Sequence, residues 1–78
     1  MNLCIDQGNS RTKVALMTDE GTMINQFIYK SFSSADVERL LDLYDIRDSI
    51  ISSVVNIEPA IVNTLHRRSQ HFVLFGYC

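Results

Sequence analysis

The sequence predicts a small mixed α/β domain with the element order β-β-β-α-β-α-β. Three observations carry this. Short apolar runs of strand length fill the first 30 residues, the hydrophobic period then switches twice to that of a helix, and β-branched or apolar runs stand between and after the helical stretches. Strands joined by tight turns are antiparallel and strands joined through helices are parallel, so the sheet is mixed.

Residues 2–6 form a short apolar strand that ends in Asp6, and residues 12–18 (TKVALMT) form a second. Asp19, Glu20 and Gly21 make a hairpin-type turn, with Gly21 free to take positive φ. Residues 22–30 (TMINQFIYK) alternate Met23, Asn25, Phe27, Tyr29 against Ile24, Gln26, Ile28, Lys30, as an antiparallel third strand does. Ser33 to Asp36 is a Ser-x-x-Asp helix entry. Val37, Leu40, Leu41 and Tyr44 follow on one helical face. Residues 50–55 (IISSVV) are a β-branched run. Asn56 and Pro59 open a second helix, where a proline is tolerated because first-turn amides have no intrahelical acceptor. Ile57, Ile61 and Leu65 give its apolar stripe, and Arg67 and Arg68 close it near the negative end of the helix dipole. Residues 71–75 (HFVLF) are a continuous apolar strand of the kind buried on both faces.

At 78 residues the chain makes one domain, expected to bury only roughly 60–65% of its unfolded surface. Hydrophobic residues make up 46% and charged residues 21%, as in ordinary globular chains. A net charge of −2 gives no global field toward nucleic acid or anionic lipid, so neither is expected as a partner. No apolar run approaches the roughly 20 residues of a membrane span, and no signal-peptide pattern opens the chain, which places it in the cytoplasm. Cys4 and Cys78 lack CxxC spacing and read as reduced thiols. His66 and His71 fall on opposite sides of a helix-to-strand junction and are not expected to share a metal. Tyr29, Phe32, Tyr44 and Phe72 read as packing aromatics rather than a platform for adenine.

The chemistry concentrates in CIDQGNSRTK, residues 4–13. A tight turn after a strand can converge backbone N–H groups on phosphate oxygens. Gly8 permits close approach and unusual φ. Ser10 or Thr12 offers a hydroxyl, and Lys13 or Arg11 a cation. Asp6 alone would repel phosphate, but it becomes useful when it holds Mg²⁺, because the ion reverses the local field. The same residues also fit a plain Gly-Asn hairpin with a solvated Asp6 and an exposed Lys13.

Asp6, Gly8, Asn9, Ser10 and Lys13 match position by position the phosphate signature Asp-x-Gly-Asn-Ser/Thr-x-x-Lys of the type III pantothenate kinases, which this chain resembles along its length. The segment Ile51-Ser52-Ser53-Val54-Val55 is similar to a second family strand, with Asn56 where the family usually has proline. The resemblance implies the ribonuclease-H-like half of an actin-like, or acetate-and-sugar-kinase, ATPase fold, with strand order 3-2-1-4-5. It implies that Gly8, Asn9, Ser10 and Lys13 hold the phosphates of ATP, and that Asp6 coordinates Mg²⁺ through water. It also implies a monovalent cation (K⁺ or NH₄⁺), transfer of the γ-phosphoryl to pantothenate as the first step toward coenzyme A, and a homodimer.

The family's chains are longer and fold as two similar halves. Residues 1–78 are therefore expected to be a truncated N-terminal domain whose second domain is absent. The family's Gly-x-Asp-Arg segment, second phosphate loop and adenosine loop do not occur here, so no catalytic residue is assigned and the fragment alone is expected to be inactive. With order 3-2-1-4-5 both helices fall on one face of the sheet. The other face is then bare, and association with a partner is expected. Two rivals share the fold. A nuclease would use Asp6 and Glu38, but the fourth strand ends in Val54-Val55-Asn56 with no acid. A non-catalytic regulatory or assembly module would want a basic recognition surface, of which Arg67-Arg68 is a small candidate.

Overall fold

Seven elements follow one another in the expected order: β1 (Asn2–Gln7), β2 (Thr12–Met17), β3 (Met23–Tyr29), α1 (Ser34–Leu43), β4 (Asp48–Ser53), α2 (Pro59–Arg68) and β5 (His71–Gly76). They belong to a computed structural model that describes residues 1–76. Cys78 lies outside the described residues, and Cys4 is a free thiol.

The strands form one five-stranded sheet in the order β3-β2-β1-β4-β5. β1 is its centre, antiparallel to β2 from Asn2↔Met17 to Gln7↔Thr12 and parallel to β4 from Asn2↔Asp48 to Gln7↔Ser53. β3 runs antiparallel along β2 with a register shift between Leu16 and Met17, and β5 runs parallel along β4.

β1, β2, β3 and β5 differ from expectation by one residue at one or both ends, and β4 and α2 by more. β4 begins and ends two residues earlier than residues 50–55, at Asp48 and Ser53. Its polar start is hidden from a hydrophobicity reading because the buried Ser49 shares a 2.6 Å hydroxyl–hydroxyl hydrogen bond with Ser69. Its end is set by a local turn. The Val55 N–H donates to Ser53 Oγ, that hydroxyl donates to the Val55 carbonyl, and the Val54 N–H reaches the Gln7 carbonyl. The second helix starts at Pro59 with Glu58, not Asn56, before it. Other features follow expectation. Gly21 turns the β2–β3 hairpin at φ +91°. The Asp36 carboxylate accepts from both the Ser33 N–H (2.9 Å) and its hydroxyl (3.2 Å) at the entry to α1.

Alternation divides the sheet. Leu3, Ile5, Val14, Leu16 and Ile51 pack with Val37, Leu40 and Leu41 of α1 and Ile61 and Leu65 of α2 into one core cluster. Both helices thus lie on the same face. Phe27, Tyr29, Tyr44 and Phe72 pack around that cluster, which Phe32 joins with its ring edge-on to Tyr29 at 5.0 Å. Cys4, Asp6, Lys13, Ala15, Ile50 and Ser52 alternate with the core residues and lie on the face without helices. The expectation that β5 is buried on both faces fails. It is an edge strand of the described sheet, and Val73 and Phe75 are 45% and 58% exposed.

The helices are also joined by charge. Arg68 meets Asp42 at 2.9 Å and Glu38 at 3.5 Å, and Arg67 meets Glu38 at 3.5 Å. Glu38 and Asp42, spaced i, i+4 on α1, repel each other in an isolated helix. Here they stand opposite two cations of α2. This corrects the view of Arg67 and Arg68 as compensating only their own helix dipole.

Ile51, fully buried on the strand beside β1, tests the core. Ile51→Ala should lower unfolding stability by about 2–5 kcal/mol in urea titration, a large share of what a domain of this size possesses. The open face should bind an apolar-sensitive dye and drive association seen by sedimentation, both diminished by Val73→Ser with Phe75→Ser. A monodisperse monomer without dye binding contradicts this.

Candidate functional site

The last two residue pairs of β1 and β2, Asp6↔Lys13 and Gln7↔Thr12, set the corner. Period-2 alternation puts Asp6 and Lys13 on the open face and turns Thr12, 4% exposed, into the core. Thr12 therefore drops out as a hydroxyl donor to a ligand. Beyond these pairs the loop Gly8–Arg11 is closed by one hydrogen bond, from the Gly8 N–H to the Arg11 carbonyl at 2.9 Å.

The loop is a four-residue hairpin connection rather than a two-residue Gly-Asn turn, and Asp6 and Lys13 are both exposed, as the plain hairpin reading has them. The two-residue mirror-image turn needs positive φ at both central residues, and among the described residues only Gly21 and Gly76 have positive φ. The unusual φ expected of Gly8 is likewise absent. Its role is close approach, since a Cβ there would stand 3.3 Å from the Arg11 carbonyl oxygen. The Gly8 amide is engaged in closing the loop. Among the described residues the N–H groups of Asn9, Ser10 and Arg11 have no backbone acceptor, so three successive donors at the apex are open to an anion.

Asp6, Gly8, Arg11 and Lys13 line one depression of about 280 Å³. A second of about 280 Å³ on the bare face shares Asp6 and Lys13 with it, and there they are joined by Cys4, Ala15, Gln26, Ile50 and Ser52. The corner thus brings together Asp6, Gly8 and Lys13 of the sequence-predicted set. Ser10 lines a neighbouring depression with Arg11, Ile28 and Lys30, and Asn9 is exposed at the apex. Arg11, seen in the sequence only as an alternative to Lys13, lines both depressions at the loop. Lys30 was missed altogether. It lies one position past the Thr12↔Tyr29 pair, so only the β2–β3 register carries it to the loop.

A second cluster is structural. Asp48 and His71 line a depression of about 310 Å³ with Cys4, and His71 Nδ1 lies 3.0 Å from Asp48 Oδ1. Arg47 bridges Asp48 at 3.1 Å and Asp19 at 3.2 Å, tying β4 to the β2–β3 turn. Burial pushes the Cys4 thiol pKa up, which disfavours its thiolate. Among the described residues no group of three or more His, Cys, Asp or Glu could hold a metal ion. His66 faces the Phe72 ring edge-on at 6.4 Å. Arg67 and Arg68, the small basic candidate for a recognition surface, are paired with Glu38 and Asp42 of α1. Among the described residues, no helix is long and apolar enough to cross a membrane.

The chain shows a distant homology to the type III pantothenate kinases of two strains of Bacteroides fragilis. It is 35% identical to each over 68 residues, a match that covers 86% of this chain. That match takes in 27% of each relative, so the chain spans about a quarter of the length of the curated relatives it matches. No family model matches the chain.

The hydrogen bond from His71, and after it the one from Arg47, lowers the Asp48 pKa below its ordinary value of 3.8. A lowered carboxylate pKa stabilises the fold above the unfolded-state value, and the gain disappears as pH falls through the folded-state value. The stability difference between the wild type and Asp48→Asn, followed by urea titration against pH, should therefore be full at neutral pH and shrink below about pH 4.

Proposed function

We propose that this chain is the phosphate-gripping portion of an ATP-dependent kinase of the pantothenate type, contributing the loop Gly8–Arg11 with Asp6 and Lys13. The observation that carries the proposal is the shared depression at the carboxyl end of the central strand. There one carboxylate and two cations meet Gly8, beside a loop whose Asn9, Ser10 and Arg11 amides are open. Three of the depression's four lining residues, Asp6, Gly8 and Lys13, belong to the signature by which the chain resembles that family, and the distant homology points the same way.

The donor set bears on the metal. A lone exposed carboxylate beside Lys13 and Arg11 is a poor all-protein cation site. It fits Mg²⁺, which keeps several waters and is held by one or two carboxylates together with substrate phosphates. Asp6 is the residue that would hold it, and bound there the ion would neutralise charge on the β- and γ-phosphate oxygens.

The remaining work falls to this chain's own groups. Lys13 and Arg11 compensate the charge of the phosphate tail, and the open amides of Asn9, Ser10 and Arg11 fix its oxygens. Gly8 keeps the loop tight enough for the backbone to reach them. In the reaction the γ-phosphorus would leave the β,γ-bridging oxygen of ATP and bond to an acceptor hydroxyl oxygen, whose proton is lost. Such transfer depends mainly on positioning and charge stabilisation, which a sparse loop can supply for one end of the reaction. The acceptor pocket and the group that takes the hydroxyl proton are not assigned to these residues.

Calorimetric titration with Mg²⁺-ATP tests the proposal. The wild type should bind, and Asp6→Ala and Lys13→Ala should each weaken binding about tenfold or more, in keeping with about 1.5–3 kcal/mol for a charge-assisted contact. Both residues are exposed, so their variants should unfold like the wild type. Absence of binding by the wild type, or unaltered binding by both variants, refutes the assignment.

A further inference from the structure

We infer that Ser10, Arg11 and Lys30 form a second anion position continuous with the Asp6–Gly8–Lys13 depression, so that the corner takes a chain of phosphates rather than a single one. The inference rests on the phosphate-gripping role of the loop and extends it to a residue outside the signature.

Three observations support it. The first is the distribution of ion pairs. The chain has seven Lys and Arg residues. Arg39, Arg47, Arg67 and Arg68 all meet carboxylates within 4.0 Å. The other three, Arg11, Lys13 and Lys30, make no ion pair among the described residues, and all three line the two depressions beside the β1–β2 loop. An overall acidic chain thus gathers its uncompensated cations at one corner, where Asp6 is the one acid lining those depressions.

The second is continuity. Arg11 lines both depressions, and the Lys13↔Ile28 pair joins their floors on the open face of the sheet. The third is register. β3 pairs with β2 up to Thr12↔Tyr29, so Lys30 extends the ladder beside Arg11. The Ser10 hydroxyl and these two cations surround about 310 Å³ against the Ile28 side chain. A single phosphate has enough partners in Lys13, Arg11 and the loop amides. A linear polyphosphate continues past Arg11 toward Lys30, where a further charge awaits it.

The test uses calorimetry in excess Mg²⁺ with two probes, inorganic tripolyphosphate and inorganic phosphate. The wild type should prefer tripolyphosphate by about tenfold or more. Lys30→Gln should weaken tripolyphosphate binding about tenfold and leave phosphate binding within about twofold, with Lys30→Arg restoring most of the loss. Lys30 is exposed, so loss of fold does not confound the comparison. A Lys30→Gln variant that binds tripolyphosphate like the wild type, or loses both probes equally, overturns the inference. If Mg²⁺-ATP still binds and still needs Asp6 in that case, the loop's role stands and the second position alone falls. If the wild type binds no nucleotide and neither probe, both fall.

Discussion

The register of the central strand governs everything else in this molecule. β1 pairs over its whole length with β2 on one side and β4 on the other. Its side chains alternate, so Leu3 and Ile5 enter the core while Cys4 and Asp6 face away from the helices. A slip of one residue would bury a carboxylate and expose two large apolar side chains, at about 1.5–3 kcal/mol for each apolar chain alone. The burial that holds the sheet together therefore also fixes where Asp6 points. Lys13 is fixed by the same logic, since its neighbours Thr12 and Val14 are both buried. The corner's chemistry thus follows from core packing, without a dedicated scaffold.

Charge is partitioned as cleanly as hydrophobicity. The helices cover one face and clasp each other through Glu38 and Asp42 opposite Arg67 and Arg68. Far from the loop, Arg47 links Asp19 and Asp48, and Asp48 in turn meets His71. These exposed pairs add little stability each. Their larger consequence is that the cations left without acids converge on the β1–β2 loop, where the amides of Asn9, Ser10 and Arg11 are also open. Anion binding needs both features in one place.

Much of this was legible in the sequence because it depends on local pattern. Alternation in residues 22–30 marked β3, the Ser33–Asp36 entry marked α1, and the signature residues marked the loop. The parts that were not legible depend on contacts between distant segments. Ser49 reads as a strand breaker until Ser69 completes its hydrogen bond. Val54 and Val55 look like strand residues but are drawn into a turn by the Ser53 hydroxyl. HFVLF has the composition of a central strand, yet the strand order that the family resemblance implies, and that the sheet shows, puts it at an edge. Lys30 shows no signal in its own neighbourhood, because its proximity to Arg11 exists only through the β2–β3 register.

The central claim is that the Gly8–Arg11 loop with Asp6 and Lys13 receives a magnesium-bound phosphate tail. Amide chemical-shift mapping by NMR during addition of Mg²⁺-ATP tests it residue by residue. The account predicts the largest shifts at Asn9, Ser10 and Arg11, smaller ones at Asp6 and Lys13, and little change at Leu16 or Ile61 behind the sheet. Saturating nucleotide that leaves the loop amides unmoved, or that shifts mainly α1 and α2, would contradict it.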